Sequence, residues 1–249
     1  MLDEPDGLDD PWVVPGAAVV VAGGGPVDRV ALAAIGPVFP DAVVYAADSG
    51  AEVASQLGLD VDVVVGDLDS ISPGALAAAE AAGARIDRHP VAKDATDLAL
   101  AVGTAIDDGA VEVLVLAGAG GRLDHLLAGA LSLADARWGH VMIRAVLGSS
   151  RIYVVHGPGT ALVSGLAAEL VSLVPVGGPA IGVTTSGLRY PLVDATLEPG
   201  TTRGVSNVIE HPAGRVAVSL GAGALLVVLP GELDASPTPT DPDPDPEGP

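Results

Sequence analysis

The stretch Val63-Val64-Val65-Gly66-Asp67-Leu68-Asp69-Ser70 constrains the fold of this 249-residue chain more than any other. Three consecutive valines without alternation have the composition of a strand buried on both faces, and such strands belong to parallel sheets covered by helices. Function in those sheets gathers at the carboxyl ends of the strands. This strand ends in two carboxylates separated by one residue. If the extended conformation continues through Leu68, Asp67 and Asp69 project to the same side. Two like charges so close repel unless a cation lies between them, and a hard, oxygen-seeking ion such as Mg²⁺ fits. The other reading is local: Asp-x-Asp-Ser before Pro73-Gly74 also suits a turn in which the acids cap a helix.

The first half repeats this strand-and-helix unit. A strand over 17–22 leads into Gly23-Gly24-Gly25-Pro26 and a helix over 27–35, and a second strand over 42–47 ends at Asp48-Ser49-Gly50 before a helix to about residue 57. Strand, glycines, helix is the order in which backbone amides cradle phosphate. Pro26 removes one amide, however, and the third glycine of a dinucleotide fingerprint is absent. Asp48, an acid ending the second strand, suits a ribose contact and keeps a nicotinamide-cofactor protein as a rival reading. An Ala-rich helix over 73–82 closes at Gly83. A short strand near 85–87 then leads to His89-Pro90-Val91-Ala92-Lys93-Asp94-Ala95-Thr96-Asp97 and a helix to about residue 106. Asp94 and Asp97 have capping-box spacing. Lys93 is the only lysine beside ten arginines, and its compact ammonium suits a point contact to phosphate oxygen. A strand over 111–116 precedes Gly118-Ala119-Gly120-Gly121-Arg122-Leu123-Asp124-His125 and a helix to about residue 136. The glycines there allow close backbone approach, Arg122 can neutralise a phosphate, and Asp124 and His125 can orient one another or water.

Near Gly148 the rhythm changes. Short valine-rich runs at 151–155, 169–174, 180–184, 215–220 and 224–229, broken by Gly and Pro, argue a small antiparallel sandwich or barrel. The organisation expected is a loose acidic segment over 1–15, an α/β domain with a mostly parallel sheet over 16–148, an all-β sandwich domain over 149–230, and a disordered Pro-rich tail over 231–249.

Charge and composition narrow the partners. The net charge is −21, with five acids in residues 1–10 and six in residues 231–249 and no Lys or Arg in either tail. A chain this acidic argues against nucleic acid or an anionic membrane as partner, and a phosphate substrate would arrive with its metal. No cysteine is present, which excludes disulfides and thiolate zinc sites and allows a reducing compartment. The start is acidic where a signal peptide is basic, and no apolar run approaches a bilayer span, so a cytoplasmic protein is expected.

The ordered motifs resemble the thiamine pyrophosphokinase family over roughly residues 17–229. They are Ala47-Asp48-Ser49-Gly50-Ala51, Gly66-Asp67-Leu68-Asp69-Ser70, Lys93-Asp94-Ala95-Thr96-Asp97, Gly118 through His125, Gly182 through Leu192, and Gly204-Val205-Ser206-Asn207. The resemblance implies a Rossmann-like α/β domain that carries ATP and Mg²⁺, a β-sandwich domain, and a homodimer with sites between subunits. The implied reaction moves a pyrophosphoryl group from ATP to the hydroxyethyl oxygen of thiamine and releases AMP. It gives Mg²⁺ to Asp67, Asp69 and Asp97, phosphates to Lys93, Thr96 and Arg122, and thiamine to Ser206 and Asn207. Asp48, Ser70, Gly120, Gly121, Asp124 and His125 are expected around the nucleotide. The chain departs from the family pattern at Ser49, where Gly is usual, at Leu68, where Phe is usual, and at Val208, where Glu is usual. With one Phe, two Trp and three Tyr in all, few side chains can stack on a pyrimidine. Two other functions stay open: a pyrophosphokinase acting on another hydroxymethyl heterocycle such as a reduced pterin, and a non-catalytic nucleotide-binding protein of the same fold.

Overall fold

A computed structural model describes residues 16–36, 38–91, 94–120 and 122–231. The expectations for residues 1–15 and for the tail from residue 232, and the roles given to Lys93 and Gly121, lie outside the described residues.

The first half builds strands β1 (Ala17–Ala22), β2 (Val43–Ala47), β3 (Val63–Gly66), β4 (Arg85–Arg88), β5 (Glu112–Ala117) and β6 (Met142–Leu147). Between them lie helices α1 (Arg29–Ile35), α2 (Gly50–Leu57), α3 (Pro73–Ala82), α4 (Asp97–Asp107) and α5 (Leu123–Ser132). The strands lie side by side in the order β4-β3-β2-β1-β5-β6, all parallel. Alternate side chains of each strand serve opposite faces. Val19 and Val21 of β1 pack with Ala31 and Ile35 of α1 and Ala54 of α2, while Ala18 and Val20 pack with Ala101, Val102 and Ala105 of α4. Both faces are therefore covered, as the valine runs require.

The helix ends follow local chemistry. Pro73 starts α3 behind a Ser72 cap, and Gly83 ends it in the left-handed region at φ 91°. α5 stops at Ser132, short of the expected 136, and a single 3₁₀ turn over Ala136–Trp138 follows, capped by the Asp135 carboxylate.

The chain then reverses through Gly148-Ser149, and β7 (Ser150–His156) pairs antiparallel with β6. β8 (Gly159–Ser164), β9 (Leu170–Ser186), β10 (Ala195–Leu197), β11 (Asn207–Val208), β12 (Arg215–Leu220) and β13 (Ala222–Leu229) complete a 13-stranded mixed sheet that continues β6-β7-β13-β9-β12-β8, with β10 and β11 both on β9. The change of rhythm at residue 148 is thus a change from parallel to antiparallel pairing. The sheet does not break there: one apolar cluster joins Val21 and Ile35 to Leu173, Ile209 and Leu229.

Two differences from the sequence pattern have physical causes. β9 is one strand of 17 residues where two were expected, because the Gly177-Gly178-Pro179 interruption is absorbed by a register shift against β13 between Ala222 and Ala224. β6 is not expected from the sequence, since Arg144 breaks its apolar run. The arginine is buried all the same, paired with Glu112 and donating to the Ile35 carbonyl oxygen at 2.8 Å. No helix among the described residues is long and apolar enough to cross a membrane.

Candidate functional site

A cavity of about 400 Å³ opens at the carboxyl ends of β1, β2 and β5. The chain order runs β1-β2-β3-β4 to one side of β1 and β5-β6 to the other, so the cavity lies where connections diverge, the usual place for a ligand in such a sheet. Its floor is two glycine turns locked together: the Gly118 amide donates to the Gly23 carbonyl at 3.1 Å and the Gly120 amide to that of Gly24 at 2.8 Å. These amides are therefore engaged by backbone and do not cradle phosphate. The N-terminus of α1 is likewise filled, because the Asp28 carboxylate accepts the Val30 and Ala31 amides at 2.6 and 3.2 Å. The start of α1 therefore offers no open amide at Val30 or Ala31 to a phosphate.

A Cβ at Gly118 would lie 2.2 Å from the carbonyl of Gly24. Gly118→Ala must push the turns apart, and urea unfolding should show a loss of about 1–3 kcal/mol. Gly103→Ala, in α4 with open space around it, should instead gain about 0.5–1 kcal/mol through helix propensity. Equal effects at the two positions would contradict the close approach.

Three elements deliver carboxylates to one side of the cavity. Asp48 follows β2 with φ 48°, Asp67 follows Gly66 at the end of β3, and Asp97 opens α4. Each offers an oxygen, and the three oxygens lie within 4.8 Å of one another. A Cβ on Gly66 would meet an Asp97 oxygen at 2.8 Å and the Asp48 Cβ at 3.3 Å, so the acids pack against a position that only glycine can occupy. Asp48 is 5% exposed. Burial pushes its carboxyl above the ordinary aspartate range, against the pull of the Ser70 and Ile71 amides that it accepts, and the charges of Asp97 and Asp69 push the same way as burial. A buried acid surrounded by acids is the donor set that suits a hard divalent cation.

The pairing of Asp67 with Asp69 comes out differently from the extended reading. β3 ends at Gly66 and Leu68 turns to φ 65°, so the pleat does not carry Asp69 to the side of Asp67. Asp69 is exposed and accepts the Ser70 hydroxyl at 2.9 Å. Asp48 stands with Asp67 and Asp97 in its stead. The capping reading also fails, because Ser72 caps α3 and accepts the Ala75 amide at 3.2 Å. Nor do Asp94 and Asp97 form a capping box: Thr96 caps α4 and accepts the Ala99 amide at 3.2 Å.

Asp48, Ser70, Thr96, Asp97, Gly120 and His125 line the cavity. Arg122 and Asp124 do not line it. They form an exposed two-pronged pair, Nε to Oδ1 at 3.1 Å and Nη2 to Oδ2 at 2.5 Å, and Arg122 holds the Asp124 carboxyl down at about 2. Ser206 and Asn207 lie in the second half, outside the cavity of the same chain. The Asn207 side chain accepts the Tyr190 amide at 3.1 Å and donates to the Tyr190 carbonyl at 2.8 Å, stapling two backbone segments, while Ser206 is exposed at φ 58°. The apolar wall of the cavity, Leu126, Ala130 and Leu147, escapes sequence reasoning because its residues read as ordinary helix and strand core.

Comparison with known proteins bears on the same regions. Residues 40–143 match a family model described as "Thiamin pyrophosphokinase, catalytic domain", and residues 162–225 match "Thiamin pyrophosphokinase, vitamin B1 binding domain". Together they span more than half of the chain. A relative from Oryza sativa subsp. japonica, "Thiamine pyrophosphokinase 1", is 29% identical over 164 residues, which are 62% of this chain and 61% of that protein, under two thirds of its length. "Thiamine pyrophosphokinase" of Bacillus subtilis (strain 168) is 24% identical over 181 residues, 73% of this chain and 84% of that protein. The fold resembles the crystal structure of thiamine pyrophosphokinase from Bacillus subtilis with a TM-score of 0.70 at 23% identity, covering 87% of this chain and 100% of that one. Thiamin pyrophosphokinase from Candida albicans gives a TM-score of 0.65 at 16% identity, covering 88% and 91%.

Proposed function

Because the chain belongs to the thiamin pyrophosphokinase family, we propose that it transfers a pyrophosphoryl group from ATP to thiamine, giving thiamine diphosphate and AMP. The observation that carries the reading is the meeting of Asp48, Asp67 and Asp97 at the edge of a nucleotide-sized cavity at the carboxyl ends of the strands. In this reading residues 16–148 bind ATP with Mg²⁺ and residues 149–230 form a β-sandwich that binds the acceptor. The working unit is a cytoplasmic homodimer in which Ser206 and Asn207 of one subunit complete the cavity of the other.

The reaction forms a bond from the hydroxyethyl oxygen to the β-phosphorus and breaks the bond from that phosphorus to the bridging oxygen of AMP. The task of the protein is in-line positioning and balance of phosphate charge. Asp48, Asp67 and Asp97 would hold the ion, and Mg²⁺ bound with the nucleotide supplies positive charge to the phosphate oxygens. The N-terminus of α4, capped by Thr96, adds the positive end of a helix dipole beside the cavity, which favours negative charge there. Lys93 and Arg122 take phosphate oxygens, Arg122 by exchanging the carboxylate of Asp124 for one of them. Asp69, exposed next to the cavity-lining Ser70, would add a further carboxylate near Asp48, Asp67 and Asp97, as the family motif implies.

Incubation with ATP, Mg²⁺ and thiamine should release AMP in step with thiamine diphosphate. Replacing thiamine by a reduced hydroxymethyl pterin should give none. Release with the pterin alone, or ADP in place of AMP, would reject the assignment.

A further inference from the structure

The turn that carries Asp67 hangs from two carboxylates of α2 and its approach. Asp48 accepts the Ser70 and Ile71 amides at 3.1 and 2.7 Å, and Glu52, in the first turn of α2, accepts the next amide, that of Ser72, at 2.7 Å. Three successive N–H groups thus end on two acids four residues apart. Ser72 is also the cap of α3, so Glu52 fixes the point at which the turn becomes a helix. The turn needs such a hold. Leu68 and Asp48 stand at φ 65° and 48°, a region that residues with a Cβ keep only where their surroundings over-determine it. From its place in the first turn a glutamate ordinarily reaches back to the start of its own helix. Here it reaches across to α3 instead. Its second oxygen, Oε2, is buried with no hydrogen-bond partner among the described residues, a cost that a residue serving only solubility would avoid by turning outward.

We propose that Glu52 is a positioning residue of the metal site: its hydrogen bond to the Ser72 amide, with those of Asp48, sets the 67–72 turn so that Asp67 faces Asp48 and Asp97. The proposal rests on reading the three carboxylates as the Mg²⁺ site. Glu52 touches neither ion nor substrate. It acts through the backbone of the turn, and an acceptor oxygen rather than a charge is what the Ser72 amide requires. Glutamine can therefore replace it and alanine cannot.

The test compares Glu52→Ala and Glu52→Gln in the full chain with two measurements that need no turnover. The first is amide hydrogen exchange over residues 67–72 without metal, and the second is Mn²⁺ binding followed by electron paramagnetic resonance. Loss of one backbone hold should speed exchange of the segment about tenfold and raise the Mn²⁺ concentration at half-saturation about tenfold in Glu52→Ala. Glu52→Gln should stay within about threefold of the original chain on both, since it keeps the acceptor. At saturating metal both variants should keep kcat, a separation that general loss of stability would not produce. Unchanged exchange and metal affinity in Glu52→Ala overturns the proposal. So does a Glu52→Gln variant as impaired as Glu52→Ala, which would assign the effect to charge. If the original chain binds no Mn²⁺ while the exchange difference persists, the metal reading fails and the role of Glu52 towards it fails too, leaving only its hold on the turn.

Discussion

Asp97→Asn is expected to lower turnover by about 10²–10³-fold while leaving the fold intact, because an amide keeps the shape but removes charge from the cation site. Asp97 is not the cap of α4, a role held by Thr96, so Asp97→Asn keeps the cap and gives up only a first-turn charge worth about 0.3–1 kcal/mol. Relief of repulsion among three clustered acids offsets the small packing change. A second readout separates metal from other roles. Saturating Mg²⁺ should raise the melting temperature of the original chain, since a ligand at about 100 times its Kd adds about 2.7 kcal/mol to the folded state. Asp97→Asn and Asp67→Asn should lose that increment. Asp69→Asn discriminates between two ligand sets. A loss as deep as that of Asp97→Asn would place Asp69 on the ion, as the family motif implies, while near-normal turnover would leave Asp48, Asp67 and Asp97 as the set. Full activity of Asp97→Asn would remove the metal site altogether.

Arg144→Met should cost about 3–5 kcal/mol in urea unfolding, because it strands a buried partner charge. Arg144 and Glu112 have side chains only 11% and 12% exposed and pair diagonally between the neighbouring strands β6 and β5, where Arg144 is level with Leu114 and Glu112 with Met142. Arg144 also donates to the Ile35 carbonyl at 2.8 Å, closing the end of α1, where a Cβ on Gly36 would strike its guanidinium at 2.5 Å. A loss of that size is a large part of the roughly 5–15 kcal/mol by which domains are stable. The paired variant Arg144→Met with Glu112→Leu should recover much of it, since exchanging both charges for apolar groups removes the stranded ion. A single variant that costs under about 1 kcal/mol would show that Glu112 reaches water, contrary to its burial.

The sequence by itself determined the features that depend on a few neighbouring residues. Valine runs without alternation mark buried parallel strands, Pro73 and Gly83 bracket α3 within the span observed, and the loss of strand-helix alternation at Gly148 marks the change to antiparallel pairing. The ordered motifs led to the family for the same reason, because each is a local run of residues. Only the tertiary structure decided which acids meet. Asp48, Asp67 and Asp97 come from three separate elements, and their convergence depends on β2 and β3 lying side by side, on α4 starting beside their ends, and on left-handed turns at Asp48 and Leu68 that no periodicity announces. The burial of Arg144 and the use of Asn207 as a staple on Tyr190 were hidden likewise, since a polar residue reads as exposed until its distant partner is known. β9 passes through Gly177-Gly178-Pro179 because β13 continues to pair on the far side. Local residue types set where an element can begin and end, whereas the pairing of distant segments sets which charges are buried together, and that pairing is a property of the assembled sheet.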